Sequence, residues 1–82
     1  MNPIRLIVIT PESTLVDKEV EKVFLPGLLS PFEVLKDHAP LVSILDKGLI
    51  RFCAEGEEME EISVRSGFAE VRDNKVTAAV EI

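Results

Sequence analysis

Residues 23–52 read VFLPGLLSPFEVLKDHAPLVSILDKGLIRF, and the alternation within them of short apolar runs and turn residues decides the fold. Pro26, Pro31 and Pro40, the single histidine and two of the four glycines lie here. Pro26-Gly27 is a turn pair: proline presets φ at the first central position, and glycine supplies the positive φ expected at the next. Leu28 and Leu29 follow at once, at the tip of that turn. Loops usually expose polar side chains. Two adjacent leucines there predict either a loop folded back on a core or a surface that docks on a partner. Phe32 to Leu35 reads as a short strand, Lys36-Asp37-His38 as a polar corner, and Val42 to Leu45 as the next strand. The stretch has the character of a contact surface on a β scaffold rather than of a substrate pocket.

Outward from this stretch the same grammar continues. Ile4 to Ile9 is β-branched and apolar on both alternations apart from Arg5, which predicts a strand covered on both faces. Thr14 to Val16 predicts a second short strand, Asp17-Lys18 a tight turn, and Val20 to Leu25 a third strand. Lys47-Gly48 marks a turn before Leu49 to Ala54, with Leu49, Arg51 and Cys53 on one face and Ile50, Phe52 and Ala54 on the other. Glu55-Gly56-Glu57-Glu58 is an acidic hairpin tip. Glu60 to Arg65 points Ile62 and Val64 inward. Gly67 predicts a bulge or close approach before Phe68 to Arg72. Asp73-Asn74 is a turn tolerant of left-handed dihedrals, and Lys75 to Val80 is the last strand. Eight or nine short strands with no 3.6-residue periodicity predict an all-β fold, an antiparallel β-sandwich or flattened barrel, in one domain over residues 1–82.

Composition narrows the function classes. The 82 residues are 46% hydrophobic, apolar for a domain of this size, and part of that excess is expected to face a partner. The net charge is −6, and five of the acids fall in Glu55–Glu61. No Lys/Arg cluster stands ready to neutralise phosphates, which argues against nucleic acid and against direct insertion at an anionic membrane. One His and one Cys cannot make a closed zinc site, and the glutamates lack the spacing of a calcium loop. The glycines are scattered, with no phosphate-cradling loop. Cys53, mid-strand, is read as a packed thiol. Asp37, His38 and Ser43 are neighbours in sequence, which does not make a catalytic triad. His38 is read as a corner residue bonded to backbone or a partner contact. No cofactor, metal or catalytic residue is assigned.

The order of motifs resembles the amino-terminal domain of the epsilon subunit of F-type ATP synthases. In that family a Pro-Gly-like turn leads into a segment ending Pro-Gly-His-Ala-Pro-Leu, then an apolar strand opening with Gly. Here His38-Ala39-Pro40-Leu41 matches letter for letter, and Phe32 and Val34-Leu35 match in type. Ile9-Thr10-Pro11-Glu12, Val20 to Val23, and Arg65-Ser66-Gly67-Phe68 with Glu70-Val71 match its other segments. The resemblance implies a non-catalytic rotor subunit of the central stalk, linking gamma to the c-ring and coupling ion flow to ATP synthesis. It implies a peripheral position on the cytoplasmic face of the cell membrane. It also implies two contact sets: Leu28, Leu29, Ser30, Pro31 and His38 toward the polar loops of the c-ring, and Leu41, Val42 and Ser43 toward gamma. An acidic residue of the family's tip loop aligns with Pro31. The family usually continues into a carboxy-terminal helical hairpin. Whether this chain, ending at Ile82, is naturally short or truncated stays open. The reading from another class is a free-standing sandwich that binds a peptide or small ligand.

Overall fold

The computed structural model of the chain describes residues 3–82. Its strands are β1 (Ile4–Ile9), β2 (Thr14–Val20), β3 (Lys22–Leu25), β4 (Phe32–Val34), β5 (Leu41–Leu45), β6 (Gly48–Cys53), β7 (Glu60–Val64), β8 (Ser66–Arg72) and β9 (Lys75–Glu81). They form a five-stranded sheet, ordered β2-β1-β9-β8-β5, and a four-stranded sheet, ordered β4-β3-β6-β7. The expected sandwich is therefore present, and no helix occurs among the described residues.

Period-two alternation builds the core. On β1, Ile4, Leu6 and Val8 are sealed, as are Val76, Ala78 and Val80 on β9 and Ala69 and Val71 on β8. The opposing sheet contributes Val23 and Leu25, Val34, Ile50 and Phe52, and Val64. Fully burying one such aliphatic side chain is worth roughly 1.5–3 kcal/mol, so this single apolar layer carries most of the stability. No polar or charged residue shares it among the described residues.

Four expectations change. Asp17-Lys18 is not a turn. Both residues sit mid-strand on β2, Asp17 opposite Ile7 and Lys18 opposite Leu6. Each is tied to a cation or anion across the sheet or sandwich: Asp17 to Arg5 at 2.6 Å and Lys18 to Glu60 at 3.1 Å. The break comes at Glu21, where the chain steps from one sheet to the other and the Glu21 amide donates to the Cys53 carbonyl at 2.8 Å. Second, not every pairing is antiparallel. β1 runs parallel to β9, Leu6 opposite Val76 and Val8 opposite Ala78. Third, β1 is covered on only one face: Ile7 and Ile9 are half-exposed on the other. Fourth, Gly27 does not adopt a positive φ. Its amide donates to the Leu25 carbonyl at 3.0 Å, a three-residue turn centred on Pro26. Glycine is needed there for room: a Cβ would lie 2.5 Å from the Ser30 carbonyl oxygen.

Candidate partner interface

Asp37, His38 and Ser43 are not brought together for chemistry. His38 Nδ1 lies 2.7 Å from the Ala39 carbonyl, to which it donates. The Ser43 hydroxyl donates to the Ile44 carbonyl at 3.1 Å. The Asp37 carboxylate accepts from Asn74 Nδ2 at 3.3 Å. Each group is engaged locally, and none is aligned on another. Among the described residues no cluster of three metal-ligating side chains exists. Cys53 is buried, as a packed thiol should be.

The outer face of the five-stranded sheet is where unsatisfied surface collects. Register places Ile44 of β5 opposite Phe68 of β8, Phe68 opposite Ala79 of β9, and Ala79 opposite Ile9 of β1. Four strands thus lay one apolar row across the face, and two of its members are mostly in water, Ile44 62% and Phe68 53% exposed. The next row is Val42, Glu70, Thr77, Ile7 and Asp17, with Val42 69% exposed. The third is charged throughout: Arg72, Lys75, Arg5 and Glu19. The face grades from apolar to ionic along the strand direction. At its apolar end an open hollow of about 300 Å³ is lined by Ile9, Pro11, Gly67 and Ala79, among others. Gly67 keeps β8 against β9: a Cβ would come 2.4 Å from the Ala79 carbonyl oxygen. This is the close approach expected of it; its pairing with Leu45 and Val80 stays in register, with no bulge.

Leu28 to Pro31 form the tip beside that apolar end. Leu29 is 99% exposed and Leu28 53%, so the tip does not fold under the sandwich. It is held from behind. The Leu28 amide donates to the Ile44 carbonyl at 2.9 Å, and the Asp46 amide to the Pro26 carbonyl at 2.8 Å. Ser30 and Pro31 are exposed, with the Ser30 hydroxyl on the Pro31 carbonyl at 3.0 Å. His38 is not with them. It lies beyond the far end of β4, past the turn in which its amide donates to the Leu35 carbonyl at 3.2 Å.

Of Leu41, Val42 and Ser43, strand alternation turns only Val42 outward. Leu41 packs against the core, and Ser43 is half-buried. Ile44, Phe68 and Ile9 were missed by sequence reasoning. The signal existed in part: Ile44 shares the parity of Val42, and Phe68 that of Glu70 and Arg72. Their alignment into one row needed the register.

A single β-sandwich with an exposed apolar row on its outer face and an exposed apolar tip is the class of domain these residues define. Comparison with known proteins sharpens that class. Residues 3–82 match the family model described as ATP synthase, Delta/Epsilon chain, beta-sandwich domain, and the chain belongs to this family. It is 43% identical over 72 residues to the ATP synthase epsilon chain of Desulfitobacterium hafniense, covering 88% of this chain and 54% of the relative. Over 78 residues it is 38% identical to the ATP synthase epsilon chain of Desulfosudis oleivorans, covering 95% of this chain and 59% of the relative. The chain thus spans little more than half the length of these relatives. Among solved structures it resembles a chain of the Euglena gracilis mitochondrial ATP synthase (OSCP/F1/c-ring), with a TM-score of 0.90 at 21% identity, covering 98% of this chain and 51% of that one. A chain of the Tetrahymena thermophila mitochondrial ATP synthase central stalk and c-ring gives a TM-score of 0.82 at 12% identity, covering 95% and 63%. At these identities the structural likeness speaks for the fold. No helix among the described residues is long and apolar enough to cross a membrane.

Proposed function

We propose that this chain is a non-catalytic rotor subunit of an F-type ATP synthase, joining the gamma subunit to the polar loops of the c-ring and so coupling ion flow to ATP synthesis. Family membership supports the assembly. The observation that carries the docking role is the exposed apolar row from Ile44 through Phe68 and Ala79 to Ile9. Gamma covers that row together with Val42. The c-ring loops meet the tip, Leu28 to Pro31. Torque transmission asks for stiffness and contact area, which a short-looped sandwich provides without a pocket. A stable interface buries roughly 800 Å² per partner, so two would take about a third of the 5111 Å² surface. The subunit sits peripherally on the cytoplasmic face of the membrane, held by its partners.

The test is direct. The chain is mixed with purified gamma, and association is followed by size exclusion and calorimetry. Co-elution with a submicromolar dissociation constant is expected. A domain that never co-elutes with gamma would overturn the reading.

A further inference from the structure

The chain crosses between the two sheets four times, and the crossings are unequal. Glu21, Asp46-Lys47 and Arg65 make three of them in one or two residues. Each is pinned by backbone: Glu21 amide to Cys53 carbonyl, Asp46 amide to Pro26 carbonyl, and Arg65 amide to Glu81 carbonyl, all at 2.8 Å. The fourth, residues 35–40 between β4 and β5, is six residues long. Its backbone bond, from His38 to Leu35, is internal to the loop. It also joins two edge strands, β4 of one sheet and β5 of the other. At their opposite end these edges are tied by the bonds behind the tip.

At the His38 end side chains tie the crossing loop to the β8–β9 turn of the five-stranded sheet. The Asp37 amide donates to Asn74 Oδ1 at 2.6 Å, and Asn74 Nδ2 donates back to Asp37 Oδ1 at 3.3 Å. Both residues sit at positive φ, 65° for Asp37 and 60° for Asn74. That conformation is uncommon for residues other than glycine, though Asn and Asp tolerate it best. Asn74 is the second central residue of the β8–β9 hairpin turn, and its carbonyl accepts from the Arg5 amide at 2.9 Å. Glycine would suit either backbone better, and neither position has it; the side chains are used for the reciprocal bond instead.

We propose that Asp37 and Asn74 form a positioning clamp that closes the open edge of the sandwich, fixing β5 and its Val42–Ile44 surface relative to β4 and the tip. Their role is to act through the strands they hold. The consequence for gamma binding rests on the function proposed above, but the clamp itself does not.

The experiment separates the two. Asn74→Gly suits the turn while deleting the clamp, and Asn74→Asp sets a carboxylate against that of Asp37. In Asn74→Gly, which removes the acceptor of the residue 37 amide, exchange there should accelerate at least tenfold. Asn74→Asp keeps that acceptor while repelling the Asp37 carboxylate, so exchange should accelerate less, and in both gamma should bind three- to tenfold more weakly. Combining Asp37→Asn with Asn74→Asp restores complementarity with reversed polarity, because a carboxylate at 74 accepts from both the backbone and side-chain amides at 37. Exchange and affinity should both return to within twofold of the original chain. Unchanged exchange at residue 37 in Asn74→Gly, or no recovery of gamma affinity in the double variant relative to Asn74→Asp, would overturn the clamp. Normal exchange effects in a chain that binds no gamma would leave the clamp standing and remove the docking function.

Discussion

The two outer faces of the sandwich obey the same alternation and end in opposite states. On the four-stranded sheet the central outward row is Glu33, Phe24, Arg51 and Glu61. Arg51 lies 5.7 Å above the Phe24 ring, and its Nε is 3.2 Å from Glu61 Oε2. The aromatic surface is capped by a cation, and the cation is paired. On the five-stranded sheet the apolar row of Ile44, Phe68, Ala79 and Ile9 has no such lid. The central row of one face is capped within the chain, with Leu49 beside it 43% exposed, whereas the apolar row of the other face lies open among the described residues. Large apolar side chains side by side in water mark an interaction site, whereas scattered ones do not.

Four variants would break or sharpen this contrast, and they are ordered by expected effect. Replacing Ile44→Glu together with Phe68→Glu should weaken gamma binding by about 100-fold or more, since central apolar anchors are each worth about 2 kcal/mol or more and the new charges would be buried unpaired. Calorimetry measures this directly, and an unaltered affinity would end the distinction between the faces. Gly67→Ala forces β8 away from β9 beside the apolar row, because the new Cβ would meet the Ala79 carbonyl oxygen at 2.4 Å. Urea denaturation should register a loss of about 1–3 kcal/mol, the usual range for overpacking. If Leu29→Asp is made, stability should stay within about 0.5 kcal/mol, as at other exposed positions. ATP-driven ion pumping by the reconstituted complex should nevertheless fall, to about a tenth, through the lost c-ring contact. On the capped face, Arg51→Ala should cost less than about 1 kcal/mol, an amount that shrinks in high salt, because the pair is exposed. Gamma binding by that variant should match the parent within twofold, and a larger loss there would mean that the charged face also docks.

Much of the strand inventory was legible because strands and turns are local events. Asp73-Asn74 turns where two residues tolerant of positive φ follow one another, at 51° and 60°. The exposed tip could be suspected from two leucines directly after Pro26-Gly27. The Asp17-Lys18 turn failed for a physical reason. Asp17 is on the solvent side and pairs with Arg5 of the neighbouring strand, while Lys18, on the core-side parity of an edge strand, reaches Glu60 of β7 in the other sheet, and these partners hold both residues in extended backbone. Gly27 was rightly placed at a turn but with the wrong turn geometry and the wrong cause, since crowding by Ser30 and Phe32 leaves no sign in the neighbouring letters. His38 was grouped with the tip by its place in the motif, and the length of β4 separates the two.

Residue alternation and turn chemistry, both readable within a few positions, determined by themselves that this chain is all-β, where most of its strands lie, and that Leu28 and Leu29 stand at a turn. Tertiary structure alone decided that β1 lies parallel to β9 and that residues 9, 44, 68 and 79 form one surface. Cross-strand register joins positions tens of residues apart, and whole-sheet burial selects it: each strand's buried face must meet the same core at once. What remains outside that core is then a property of the assembled sheet and of no single strand.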